Sequence, residues 1–202
     1  MVTRRGVIKK TVLSDFEYQR KSGKIALALD EGDELLFVIK TDGNSNILLA
    51  TRQGAALKYS EQTVRSMGRT ARGVRGISLR GDDEVVGAVL VEPEKKLVTI
   101  TENGYGKQTS FEDFREMKNR GGHGVTCHNI TEKTGLLAGI VTVSDEDDLM
   151  LITDGGIIIR VPSTDIPTYS RTAGGVIVMR ASSDQKIVNF TAVPREEEKE
   201  DQ

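Results

Sequence analysis

The chain has 202 residues, with 28 Lys and Arg against 30 Asp and Glu, no Trp, 4% aromatic residues and 21 glycines. A chain of this length buries a core in one or two domains. No apolar run approaches the roughly 18 residues of a membrane helix, no signal-peptide pattern opens the sequence, and the single Cys127 excludes an intramolecular disulfide and suits a reducing cytoplasm. The net charge of −2 hides an asymmetry: residues 1–80 hold 15 Lys and Arg against 8 Asp and Glu, and residues 81–202 hold 13 against 22.

Taken in order, the chain reads as four copies of one unit. Glycines in a Thr-x-x-Gly pattern recur at Gly6, Gly54, Gly104 and Gly156, and a second glycine column lies at Gly23, Gly73, Gly124 and Gly175. A third, apolar column follows twelve residues later at Leu35, Val85, Leu136 and Ile187. The three later copies carry a leading apolar strand, in Leu48–Thr51, Leu97–Thr101 and Leu149–Thr153. Past the glycine comes a second strand, as in Val7–Val12 and Ile157–Val161. A polar connection then reaches the second-column glycine and a third strand that alternates, with Ile25, Leu27 and Leu29 on one face, as are Ile177 and Met179. The last strand is Leu35–Ile39, Val85–Val91, Leu137–Val143 or Ile187–Val193.

Four short strands in about 50 residues is propeller-blade spacing. The expectation is an all-β, propeller-like disc of about four four-stranded antiparallel blades over 1–194, with repeats near 1–46, 47–96, 97–148 and 149–194. Residues 195–202, R-E-E-E-K-E-D-Q, form a like-charge run expected to be a disordered acidic tail. Met1–Thr3 stand where later copies have a full leading strand, so the natural chain is expected to extend upstream.

The residues do not assemble a catalytic constellation. A structural zinc site needs four ligands, and the only histidines, His123 and His128, flank the only cysteine. His128 falls in register with Leu27, Ile77 and Met179 and reads as a core-facing strand residue, while Cys127 reads as a small packing residue. Asp82–Glu84 and Asp145–Asp148 read as solvated turns, and Gly104-Tyr105-Gly106 lacks the third glycine of a nucleotide fingerprint. No cofactor and no metal are expected.

The basic residues are placed more regularly. Lys9, Lys10, Lys58, Lys107 and Arg160 follow the first-column glycines, and Arg20, Lys21, Arg65, Arg69, Arg72, Arg115, Lys118, Arg120 and Arg171 precede the second-column ones. In a closed blade array such cations form a belt suited to phosphates spaced along a duplex. Without interleaved aromatics, the reading favours backbone contact and bending over base stacking. Within Lys118–Val125 (K-N-R-G-G-H-G-V), Arg120 sits on a backbone that Gly121, Gly122 and Gly124 free for positive φ, with His123 beside them, so the loop can turn N–H groups toward an anion.

Particular stretches then point to a family. Arg5–Leu13 (R-G-V-I-K-K-T-V-L), Asp33–Leu36 (D-E-L-L), Val64–Leu79 (V-R-S-M-G-R-T-A-R-G-V-R-G-I-S-L), Thr101–Thr109 (T-E-N-G-Y-G-K-Q-T) and Leu149–Gly155 (L-M-L-I-T-D-G) resemble the C-terminal domain of bacterial DNA gyrase A. The corresponding domain of topoisomerase IV is the near relative. The resemblance implies a β-pinwheel whose blades exchange strands, six in the full family domain, and duplex DNA wrapped on a basic rim in support of ATP-dependent negative supercoiling. It implies as partners the rest of the gyrase A polypeptide and the gyrase B polypeptide in a cytoplasmic heterotetramer, with the catalytic tyrosine and ATPase outside this chain. The family's seven-residue box, Q-R-R-G-G-K-G, is matched in Lys118–Gly124 by Arg120, Gly121, Gly122 and Gly124, while Lys118, Asn119 and His123 differ. A protein-interaction propeller is the alternative from another class.

Overall fold

A computed structural model of the chain describes residues 1–18, 21–181 and 184–195. The first repeat supplies β1 (Val2–Thr3), β2 (Val7–Ile8) and β3 (Leu35–Phe37). The second supplies β4 (Asn46–Thr51), β5 (Ala55–Ser60), β6 (Val74–Arg75) and β7 (Val85–Leu90). The third supplies β8 (Lys96–Thr101), β9 (Tyr105–Ser110), β10 (Glu116–Met117), β11 (Val125–Thr126) and β12 (Leu137–Val143). The fourth supplies β13 (Asp147–Thr153), β14 (Ile158–Pro162), β15 (Val176–Ile177) and β16 (Ile187–Pro194). The protein is all-β, apart from single turns of 3₁₀ helix, as four small sheets.

The sheet orders are β3-β1-β2-β6, β10-β5-β4-β7 with β11 also on β5, β12-β8-β9-β15, and β14-β13-β16. The residue pattern placed all four strands of a repeat in one blade. Instead, the short third strand joins the sheet of the preceding repeat: β6 pairs with β2, β11 with β5 and β15 with β9, all antiparallel. This is the strand exchange that the resemblance implied. The first repeat departs from expectation, because residues 24–29 form no strand and Ile25 is 65% exposed. The fourth sheet has three strands among the described residues.

The chain divides into two compact units. One holds residues 1–91 and 114–126 with the first two sheets, and the other holds 92–113 and the described residues from Cys127 onward with the last two. In the first, Ile8, Leu49, Leu57, Tyr59, Ile77 and Val85 build the core. In the second, Ile100, Leu149, Leu151, Ile166, Met179 and Ile187 do so. The leading strands are central and covered on both faces, which is why they read as unbroken apolar runs: Leu48, Leu49 and Ala50 are fully buried.

The Thr-x-x-Gly column is a hairpin turn. The glycine N–H donates to the threonine carbonyl in all four copies, at 2.9–3.1 Å. The threonine hydroxyl accepts the N–H four residues on: Val7 on Thr3, Ala55 on Thr51, Tyr105 on Thr101 and Ile157 on Thr153. The turn ends at a φ of +79 to +85°, a conformation that glycine adopts without a Cβ penalty. The carbonyls of Gly6 and Gly104 then accept N–H bonds from the added strand, from Gly76 at 2.7 Å and Val178 at 2.8 Å. The turn carboxylates are tied in as well: Asp33 accepts from the Arg5 and Glu34 N–H groups, and Asp83 from those of Gln53 and Glu84.

The apolar column needs one correction. Its pairing partners are Thr3 with Leu35, Thr51 with Val85, Thr101 with Leu137 and Thr153 with Ile187. Leu137, not Leu136, is the buried member in the third repeat, because the turn held by Thr131 and Thr134 is one residue longer.

The added strands set apart two otherwise identical glycines. A Cβ on Gly104 would stand 2.0 Å from the Met179 carbonyl oxygen, whereas one on Gly156 would meet nothing within 4 Å. Both have positive φ, so Gly156→Ala is expected to cost about 1–2 kcal/mol in backbone strain alone. Gly104→Ala also displaces the added strand and is expected to cost clearly more, a difference that urea unfolding of the two variants measures.

Candidate nucleic-acid interface

The connections before the second-column glycines run along the surface, as polar loops do. The side chains of Lys21, Arg65, Arg115 and Lys118 are exposed and make no ion pair or hydrogen bond among the described residues. Arg69, Arg120 and Arg171 each stand four residues before a column glycine and are half-buried. Arg72 is exposed but bound to Asp30 at 2.7 Å. Lys10 is half-buried against Glu61, Lys58 is half-buried, and Arg160 is exposed with its Nε on Asp148 at 2.8 Å. Arg195 shares that carboxylate at 2.9 Å, and the two guanidiniums, Arg195 foremost, hold Asp148 below the usual carboxylate range. Arg20 and the acidic tail from Glu196 to Gln202 lie outside the described residues.

Lys9 and Lys107 require a correction. They are 1% and 0% exposed, so neither presents its charge at the surface. The Lys9 ammonium donates to the carbonyls of Ala26, at 2.7 Å, and Arg69. The Lys107 ammonium donates to those of Ser170, at 2.6 Å, and Arg171, at 2.7 Å. Burial lowers both pKa values, that of Lys107 to about 8. Strand alternation did not flag them, because these second strands are covered on both faces: Ile8 beside Lys9 is buried too.

The Lys118–Val125 loop turns its donors inward. Arg120 donates from Nε to the Thr63 carbonyl at 3.2 Å and from Nη1 to that of Arg75 at 2.7 Å. Gly121 N–H donates to the Gly76 carbonyl at 2.8 Å, and the Ser78 hydroxyl and N–H donate to the Gly121 and Gly122 carbonyls. Gly121 and Gly124 take positive φ and Gly122 does not. The open nest of N–H groups that the glycines allowed is therefore not formed; the loop is a brace against the second repeat's added strand. Its exposed members are Lys118, Asn119 and His123. His123 Nδ1 lies 3.1 Å from the Ser78 carbonyl, which can only accept, so Nδ1 carries the hydrogen.

The same brace helps to form a polar cleft of about 650 Å³ lined by Arg5, Arg72, Arg75, His123, Asp30 and Ser78, among others. Arg5 and Arg75 were not singled out from the sequence. Their signal was present: Arg75 is the outward residue of an alternating pair on the added strand, and Arg5 sits at the tip of a hairpin turn. Three guanidiniums against one carboxylate give this cleft a basic character suited to phosphate oxygens.

The remaining chemistry-bearing groups are structural. His128 is buried, accepts from the Thr99 hydroxyl at Nδ1 (2.9 Å) and donates from Nε2 to the Gly174 carbonyl (3.1 Å). Desolvation first, then the nearby Lys107 ammonium, lowers its pKa to about 4. Cys127 is fully buried. Among the described residues no group of three or more His, Cys, Asp or Glu is placed to hold a metal ion, and no helix is long and apolar enough to cross a membrane.

The family model described as "DNA gyrase C-terminal domain, beta-propeller" matches four times, over residues 1–42, 45–92, 95–144 and 147–194. The chain belongs to this DNA gyrase C-terminal domain family. It is 41% identical over 202 residues to the DNA gyrase A polypeptide of Staphylococcus aureus strain MRSA252, covering 99% of this chain and 23% of that protein. It is 42% identical over 200 residues to the gyrase A polypeptide of strain NCTC 8325 / PS 47, covering 98% and 22%. The chain thus spans about a quarter of the length of these relatives. Among solved structures, the C-terminal domain of DNA topoisomerase IV superposes with a TM-score of 0.89 at 28% identity, covering 96% of this chain and 60% of that one. A DNA gyrase A C-terminal domain superposes at 0.80 with 24% identity, over 95% and 64%, and supports the fold. The four matches fall on the four sequence repeats.

Because the folded His128 pKa is depressed from 6.5 to about 4, the stability that it contributes is fully present above pH 6.5 and is lost as pH falls through 4. The loss approaches about 3 kcal/mol once the imidazole is charged. Met179 fills the equivalent place in the fourth repeat, so His128→Met is expected to flatten this acid limb in urea unfolding measured from pH 7 to pH 4.

Proposed function

We propose that this chain is the non-catalytic DNA-wrapping part of a bacterial DNA gyrase A polypeptide. It binds duplex DNA through sequence-independent phosphate contacts and bends it around a basic rim, so that the whole enzyme introduces negative supercoils at the expense of ATP. The observation that carries this reading is the fourfold family match; Arg69 and Arg171 are the connection arginines four residues before a column glycine, whose equivalent Arg120 is turned onto backbone carbonyls. The free cations Lys21, Arg65, Arg115 and Lys118 and the Arg5–Arg72–Arg75–His123 cleft supply further phosphate contacts. The partners are duplex DNA, the rest of gyrase A, and gyrase B, and the site of action is the cytoplasm. Bending 20–30 base pairs by 40–90° costs on the order of 1–6 kcal/mol, and counterion release at several Lys and Arg contacts offsets it.

The second reading is the corresponding part of topoisomerase IV, favoured by the TM-score of 0.89 to its C-terminal domain. The identities of 41% and 42% to gyrase A sequences favour the first. Net negative supercoiling by the enzyme carrying this domain, against relaxation alone, decides between them.

Duplex binding tests the wrapping. With a duplex of roughly 40 base pairs labelled at both ends, binding is expected to weaken steeply from low to moderate salt, and energy transfer is expected to show the ends drawn together. Arg65→Glu and Lys118→Glu are each expected to lower the slope of log affinity against log salt by about 1. Absence of duplex binding at low salt overturns the proposal.

A further inference from the structure

We propose that Lys9 and Lys107 are positioning residues: from inside the blades, each uses its ammonium group to hold the backbone of a connection loop and so fix the arginine that the loop carries. The DNA readout of this inference rests on the function proposed above; its structural readout does not.

Strand pairing makes the comparison strict. Ile8 faces Val74, Ala56 faces Val125 and Gly106 faces Val176, so the residues that follow, Lys9, Leu57 and Lys107, occupy one position in three sheets. In the fourth, Ile158 faces Ile152 as Ala56 faces Ala50, which puts Ile159 there. Leu57 and Ile159 show that an apolar side chain is accommodated. A buried ammonium costs far more in desolvation than a leucine, and neither lysine has an ion pair among the described residues. The carbonyls bonded by each lysine belong to a connection loop: Arg69 for Lys9, and Ser170 and Arg171 for Lys107. Lys9 also holds Ala26, next to the Ile25 carbonyl that accepts from Arg69 Nη1. Where leucine replaces the lysine, the loop is held from outside instead, by Arg120 on Thr63 and Arg75 and by Ser78 on Gly121. The two arrangements do the same job by different bonds.

The titratable and charged groups around Lys107 are the Cys127 thiol, Asp113, Arg171 and the neutral imidazole of His128. Neutralisation weakens a charge-assisted bond to a carbonyl. In the whole chain, the amide shifts of Ser170, Arg171 and Ala173 are therefore expected to titrate with a midpoint near pH 8. Cys127→Ala is expected to leave that titration in place and Lys107→Leu to abolish it. In Lys107→Leu, amide exchange is expected to accelerate at least about tenfold at Ala173, which donates to Ser170, and to stay unchanged in the β8–β9 ladder. In DNA binding, the salt slope is expected to fall by about 1, as it would on loss of one phosphate contact.

In the unmodified chain, loop exchange as fast as that of Lys107→Leu overturns the proposal. Unchanged loop exchange in both Lys107→Leu and Lys9→Leu does the same. A loosened loop with an unchanged salt slope supports the positioning role and counts against the DNA reading of that loop.

Discussion

The close approach of two backbones at each exchanged strand is the contact on which the rest of the structure depends. The turn glycine of one repeat and the second-column glycine of the next lie against each other's strands. A Cβ on Gly73, Gly124 or Gly175 would stand 2.6, 2.3 or 2.4 Å from the carbonyl oxygen of Ile8, Ala56 or Gly106. In the other direction, one on Gly6 would stand 2.8 Å from the Ile77 oxygen. Glycine is required there for space as well as for positive φ. Where the added strand is missing, the same column loses its steric reason: Gly23 and Gly156 have nothing within 4 Å of a would-be Cβ.

This contact also explains where the cations stand. The connection that leads into an added strand must run over the surface, because it leaves its own sheet and enters the previous one. Its position is then set by few points: the glycine at its end, and whatever grips its backbone. Lys9 and Lys107 grip from beneath, and the Arg120 guanidinium and Ser78 grip the second-sheet loop from its flank. A loop held at two points presents its remaining cations with little entropy left to lose on binding a polyanion. The carboxylates serve the opposite purpose. Asp33 and Asp83 tie turns to last strands and Asp148 collects Arg160 and Arg195, so several of the acidic residues are structural ties rather than a repulsive coat.

The four-copy repeat, the strand-rich class, the turn at each Thr-x-x-Gly and the core position of His128 were all legible in the sequence. Each depends on local chemistry that recurs: a glycine that needs positive φ, a threonine whose hydroxyl reaches four residues on, and an apolar run covered on both faces. The family resemblance was legible for the same reason, since its quoted stretches fall on these turns and the strands that flank them.

The partner of each strand was decided by the tertiary structure, because side-chain alternation says which face is covered but not which neighbour covers it. The one-residue slip from Leu136 to Leu137 came from the length of a single turn. The fates of the basic residues were decided in the same way. Lys9 and Lys58 both read as rim cations, yet Lys9, three residues past its turn glycine, is enclosed and Lys58, four past its own, is half-buried, because the two positions meet different neighbours. The sequence by itself determined the repeat, the turns and the charge inventory, which are properties of neighbouring residues. Only the tertiary structure decided which charges face solvent and which hold the loops, because that depends on contacts between residues some 60 positions apart.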